Sequence, residues 1–204
     1  MKLRAFPTDR QLDMMDCGPA CLKMIAKYYG KFYSLQYLRD KCGVTKEGVS
    51  FDDISHAGES IGLRTLSLKC TIDELLIKVP LPVIIHWDNS HFVVVYALKK
   101  QAKNTGIVYI SDPAKGHVKY NLIEFAAKWL KKGTEKGILM AIEPQATFYE
   151  KNGDEKLSRK KTLENFIGYF LPYKKSFVNL FVVMLLVTIL QGLLPFISKA
   201  VIDV

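Results

Sequence analysis

The spacing of apolar residues changes character several times along this chain, and the changes mark its elements. After Asp16 the apolar positions Cys21, Met24, Ile25 and Tyr28 recur at helical spacing, and Gly30 ends the stripe. Asp16 stands where a helix cap is wanted, and Pro19 suits a first turn, where a missing N–H costs nothing. "SLQYLRDKCG" predicts a second short helix, capped by Ser34 and closed by Gly43. "SFDDISHAGESIG" predicts a third, with Ser50 and Asp53 at capping-box spacing and Gly62 as the stop. "LRTLSLK" alternates and reads as a strand; "TIDELLIKV" returns to helix, with Thr71 and Glu74 at capping-box spacing. Strands then dominate in "PVIIHW", "HFVVVYAL", "GIVYIS" and "GHVKY". "NLIEFAAKWLKKG" is a further helix and "GILMAIE" a last strand. Helices first and an antiparallel meander after them predict an α+β domain rather than a doubly wound parallel sheet.

Residue 145 ends that pattern. Residues 146–175 are polar and basic, a linker running into a membrane-proximal segment, and 176–204 hold a different kind of element. "FVNLFVVMLLVTILQGLLPFI", residues 177–197, is apolar all round except for Asn179, Thr188 and Gln191. A core helix shows one apolar stripe; this segment has no polar face, and at about 1.5 Å per residue it reaches the roughly 30 Å of a bilayer core. Its N-terminal flank, Lys151 to Lys175, carries seven Lys/Arg against three Asp/Glu, while one Lys and one Asp follow it. The positive-inside rule then puts the large N-terminal domain in the cytoplasm.

The net charge of +9 is spread along the chain rather than gathered into a tract, and no nucleic-acid motif accompanies it, so no nucleic-acid partner is expected. The four cysteines are Cys17, Cys21, Cys42 and Cys70. "MKLRAFPTDR" has no apolar signal-peptide core, so reduced thiols are expected rather than disulfides. Without a Cys-x-x-Cys or a Cys/His knuckle, no metal site is expected.

Cys17 and Cys21 are not equivalent. Cys17 falls at the helix start, where unpaired N–H groups and the helix dipole favour a thiolate, the nucleophilic form. Cys21 falls one turn inside, on the apolar stripe. A nucleophile needs a base. His91 opens "HFVVVYAL" after the polar turn "DNS", where a side chain can face a cleft; His86 lies in an apolar run, and His56 and His117 read as surface residues. If "HFVVVYAL" and "GIVYIS" pair through "KKQAKNTG", His91 and Asp112 share one end of the sheet, and Asp112 can orient the imidazole. Taken alone, Asp112 reads first as a turn residue before Pro113. Gln11, six residues before Cys17, could donate to an oxyanion together with the Cys17 N–H. Gly18 and Pro19 read as helix-start residues leaving room for a substrate beside the nucleophile.

Together these segments resemble a known family. "QLDMMDCGPACLKMI" is similar to the cysteine box, "SHFVVVY" to the histidine box and "ISDPAKG" to the aspartate turn of the bacteriocin-processing, double-glycine leader peptidases. "ILQGLLPFISKAVIDV" resembles the first transmembrane helix of the peptidase-containing ABC exporters that carry such domains. The resemblance implies a papain-like fold, with Cys17 as nucleophile, His91 as general base, Asp112 as orienting acid and Gln11 as oxyanion donor. It implies cleavage of a precursor peptide after a Gly-Gly or Gly-Ala pair, with export of the product through a bacterial cytoplasmic membrane. The leader is expected as an amphipathic helix in an apolar groove. Exporters of this type are dimers, so a homodimer is implied. The peptidase needs no cofactor; ATP would serve an ATPase domain, and no G-x-x-x-x-G-K-[ST] occurs here. The chain is therefore expected to be a fragment, a truncated product or one piece of a split transporter. The alternative of another class is a non-catalytic substrate-docking domain; relatives of that kind lack the nucleophile.

Overall fold

The structure, a computed structural model, describes residues 6–88, 90–102, 105–130, 133–151 and 173–202. The chain divides into two compact units, 1–155 and 156–204. In the first, a single 3-10 turn, Met14–Asp16, leads directly into α1 (Cys17–Tyr28). Helices α2 (Leu35–Cys42) and α3 (Phe51–Ser60) follow, then β1 (Leu63–Cys70) and the short α4 (Ile72–Ile77). The remaining strands are β2 (Val83–Trp87), β3 (His91–Ala102), β4 (Thr105–Asp112), β5 (Gly116–Asn121) and β6 (Gly137–Pro144). Helix α5 (Leu122–Trp129) lies between β5 and β6, and α6 (Ala146–Glu150) closes the unit.

Among the described residues the six strands form one sheet in the order β1-β6-β2-β3-β4-β5, every neighbouring pair antiparallel. This is the expected α+β architecture. Alternation along the central strands divides their side chains between two cores. Ile84, Phe92, Val94, Met140 and Ile142 pack with Leu22, Met24, Ile25 and Ile54 of α1 and α3. Val83, Ile85, Val93, Val95 and Leu139 pack on the opposite side with Leu122, Phe125 and Trp129 of α5. Helix α1 is thus clamped against β3 by a buried stripe, and β3 is the strand that begins at His91.

The caps follow the sequence closely. Ser34 accepts from the Tyr37 N–H, and Gly43 ends α2 in the left-handed region at φ 59°. Ser50 with Asp53, and Thr71 with Glu74, form reciprocal capping boxes. Asp16 differs. It stands at the N-cap position of α1, but its side chain makes no cap bond to that helix. The carboxylate turns back instead and accepts from the Asp13 N–H at 3.0 Å, closing the 3-10 turn. Residues 146–150, read from the sequence as the start of the linker, form α6, and Phe148 is fully buried. The hairpin loop is also shorter than the pattern suggests, because β3 runs on to Ala102 and β4 begins at Thr105.

The second unit contains one described helix, α7 (Lys174–Ile202). Its segment Lys174–Gly192 is long and apolar enough to cross a membrane. The basic linker positions 152–172 lie outside the described residues, as do the side chains of 193–197.

Candidate active site

Cys17 is the first residue of α1, and its side chain is buried among Cys21, Leu22 and the neighbouring core. The N–H groups of that first turn have no partners within the helix, so the positive end of the helix dipole lies at the sulfur. Gly18 brings this helix end down onto α3. A Cβ on Gly18 would sit 2.4 Å from Val49 Cγ2 and 2.9 Å from Ile54 Cδ1. The helix start is therefore fitted closely against the protein's own side chains at Gly18.

His91 begins β3, opposite Trp87 of β2. Its Nε2 is 2.8 Å from Asp112 Oδ1. The Cys17 thiol acts on the same ring and helps to hold it protonated. With Nε2 engaged by the carboxylate, Nδ1 is the nitrogen available to the thiol. Asp112 ends β4, where the chain turns through Pro113, and Oδ1 also accepts from the Ala114 N–H at 2.8 Å. The turn holds the carboxylate, and the carboxylate holds the ring.

The electrostatics agree with this geometry. Burial acts to lower the His91 pKa. Hydrogen bonds to Asp112 and Cys17, and the negative charge of each, outweigh it and raise the pKa from 6.5 to about 9. Burial acts to raise the Asp112 pKa; the His91 and Ala114 hydrogen bonds and the charges of His91 and Lys115 bring it below the ordinary value. Cys21 is the opposite case. Full burial, then the nearby charges of Cys17 and Asp112, push its thiol well above the ordinary range. Its S–H donates to the Phe92 carbonyl at 3.3 Å.

Gln11 is tied to the same corner. Its N–H donates to the Pro113 carbonyl at 3.1 Å, which sets it beside the Asp112 turn. Its side-chain Oε1 is buried without a hydrogen-bond partner among the described residues. The structure thus brings Gln11, Cys17, His91 and Asp112 to one end of the sheet. The other histidines lie elsewhere. His86 packs its ring near Phe51 and Phe92, His56 pairs with Asp52 at the surface, and His117 meets Tyr96 edge-on.

Two contacts were not visible in the sequence. Ser111, fully buried beside Asp112, donates to Met24 Sδ at 3.2 Å and so joins β4 to α1. Asp16, also fully buried, is paired with Arg39 Nη1 at 2.8 Å. A polar residue in a buried strand is a weak sign of the first; nothing in the periodicity of α2 singles out Arg39 for the second. Among the described residues no cluster of His, Cys, Asp and Glu could hold a metal ion.

Comparison with known proteins identifies relatives of the chain. The chain is 28% identical over 200 residues to the colicin V secretion/processing ATP-binding protein CvaB of Escherichia coli, covering 98% of this chain and 26% of that protein. It is 31% identical over 206 residues to the lactococcin transport/processing ATP-binding protein LcnC-like of Lactococcus lactis, covering 100% of this chain and 27% of that protein. The chain therefore spans about a quarter of the length of these relatives. Among solved structures it is similar to a double glycine motif protease from an AMS/PCAT transporter in complex with the leader peptide. That match has a TM-score of 0.59 and 32% identity, over 68% of this chain and 91% of that one. The peptidase domain of Streptococcus ComA, a bi-functional ABC transporter, matches with a TM-score of 0.59 and 27% identity, over 69% and 99%. The sequence profile of the Peptidase C39 family matches residues 5–147, the span that contains all four residues of the corner, and the chain belongs to this family of cysteine peptidases.

Proposed function

We propose that the chain removes the leader of a precursor peptide by hydrolysis after a Gly-Gly or Gly-Ala pair, in step with export of the product by an ABC transporter. The observation that carries this reading is the junction at His91, one ring hydrogen-bonded to Asp112 and raised in pKa by that carboxylate and by the Cys17 thiol at the start of α1. A histidine held near pKa 9 beside a thiol at a helix N-terminus favours the thiolate–imidazolium pair at neutral pH.

In the first step the Cys17 thiolate attacks the carbonyl carbon of the last leader residue, the second of the pair. The carbonyl electron pair moves to oxygen, where the Cys17 N–H and the Gln11 side-chain amide donate to it. Collapse of the adduct breaks the C–N bond, and the His91 imidazolium gives its proton to the departing amine. A thioester of the leader remains on Cys17. Water then adds to it with His91 as base; the adduct releases the leader acid and the sulfur, and the proton stays on the imidazolium. Asp112 holds the ring and stabilises its charge throughout. Two small residues before the cut suit a narrow approach to a buried thiol, and the peptidase steps need no cofactor.

Helix α7 is read as the first span of the transporter's membrane domain, with the peptidase unit on the cytoplasmic side. ATP hydrolysis, the remaining spans and a second copy of the subunit belong to the exporter as a whole.

The test is cleavage of a double-glycine precursor by the purified chain, with product masses locating the cut. Cys17→Ala is expected to abolish cleavage and Cys21→Ala to leave most of it. Leader binding without cleavage would instead favour a docking domain. Equal losses in the two variants would overturn the roles given to the two cysteines.

A further inference from the structure

The mechanism leaves unused a buried carboxylate immediately before the nucleophile. The Asp16 side chain is wholly buried. Its Oδ2 accepts from the Asp13 N–H at 3.0 Å and from Arg39 Nη1 at 2.8 Å, while Oδ1, buried too, has no hydrogen-bond partner among the described residues. An ionised carboxylate in this place is costly in two ways. It is desolvated with only part of its hydrogen-bonding capacity met. It is also one residue from a sulfur that must itself become an anion, and like charges oppose each other's ionisation.

Arg39 is the cation that meets it. It comes from α2, a separate helix packed on α1, and its guanidinium stays charged at any working pH. Cys21 on α1 and His91 on β3 each act on Cys17, and Asp112 on β4 acts on both of them. Only His91 among these is cationic, and it is already engaged by both Asp112 and Cys17. His91 therefore leaves the Asp16 charge to Arg39.

We propose that Arg39 is a positioning residue of the peptidase: by neutralising Asp16 it fixes the turn that delivers Cys17 to the start of α1 and keeps the Asp16 charge from opposing the Cys17 thiolate. This rests on the reading of Cys17 as the nucleophile.

The test follows alkylation of Cys17 by iodoacetamide in the full chain in detergent, from about pH 5 to about pH 9, with mass spectrometry to locate the label. Precursor cleavage is measured in parallel. Arg39→Met is expected to move the Cys17 profile to higher pH and slow labelling near pH 6 about tenfold, the equivalent of one pKa unit. Arg39→Lys, which keeps the charge, restores most of the rate. Asp16→Asn combined with Arg39→Met removes both charges and returns the profile to near that of the unaltered chain. An unmoved profile in Arg39→Met overturns the proposal, and so does a double variant as slow as the single one, which would reduce Arg39 to packing. If Arg39→Met does not fold, the double variant decides: a normal profile supports charge compensation and a displaced one rejects it. Failure of the underlying reading looks different. Cys17 of the unaltered chain would then label no faster than a free thiol, and Cys17→Ala would still cleave.

Discussion

At His91 burial works against protonation, and two hydrogen bonds with two negative charges work for it. The balance raises its pKa from 6.5 to about 9, so the protonated ring stabilises the folded state fully below pH 6.5 and loses that contribution as pH rises through about 9. For Asp112, whose pKa is lowered, the sign reverses: its contribution is present above the ordinary value near 3.8 and is lost as pH falls through the folded one. Because the His91 shift depends on both partners, titration followed by NMR should show a pKa near 9 in the intact chain and a value lower by one unit or more in Asp112→Asn and in Cys17→Ala alike. A His91 pKa that ignores either substitution would exclude that partner. The residue types at this corner were legible because the chemistry demands them at element ends: a thiol at a helix start, an imidazole opening a strand, a carboxylate before a proline. Cys21 was legible only as a packing residue. Its bond to the Phe92 carbonyl joins positions 71 apart, a relation that no local periodicity carries. The Asp16–Arg39 pair, 23 residues apart on different elements, was hidden for the same reason.

At the scale of elements, capping chemistry is local, and it was read correctly wherever a Ser or Thr faced an acid three residues on. Asp16 misled because its neighbour Asp13 and the distant Arg39 compete for the same carboxylate. The glycines show the same division between local and distant causes. Gly30 and Gly62 both end helices with positive φ, 89° and 93°, and the pattern reveals that much. Gly62 has a second task. A Cβ there would lie 2.6 Å from the Phe148 N and Cα, and the Gly62 carbonyl accepts from the Gln145 N–H at 3.1 Å, so α6 is latched onto the start of β1 through this residue. A Cβ at Gly30 would meet nothing within 4 Å among the described residues. Gly30→Ala should then cost only the strain of a left-handed residue, about 1 kcal/mol, whereas Gly62→Ala should cost about 2–4 kcal/mol because backbone must move as well. Urea unfolding reads this cleanly, since the two tryptophans, Trp87 and Trp129, both lie in the first unit. Equal losses at the two glycines would mean that the close approach to α6 contributes nothing.

At the scale of the whole molecule, the apolar run and its flanks make a claim about topology that the folded unit cannot make by itself. Seven Lys/Arg against three Asp/Glu lie between Lys151 and Lys175, immediately before the run, and one Lys and one Asp follow it. Basic residues close to a span are retained on the cytoplasmic side, and the peptidase unit is proposed to lie there. The proposed thiol chemistry fits the same side: all four cysteines are free and buried, and a Cys17 thiolate would persist as a nucleophile where glutathione keeps thiols reduced. A substrate made on ribosomes also reaches that face first. Lys78 provides the reporter, because its side chain is 71% exposed on the first unit, far in sequence from the span. With the chain in bacterial membranes, a membrane-impermeant amine reagent should label Lys78 in inside-out vesicles and leave it unlabelled in right-side-out ones. Replacing Lys156, Arg159, Lys160, Lys161, Lys174 and Lys175 by Gln removes the charge asymmetry while leaving the apolar run intact, so labelling should then appear in both preparations. Labelling confined to right-side-out vesicles would put the peptidase unit outside the cell, beyond the reach of its proposed precursor, and would overturn the coupling of cleavage to export.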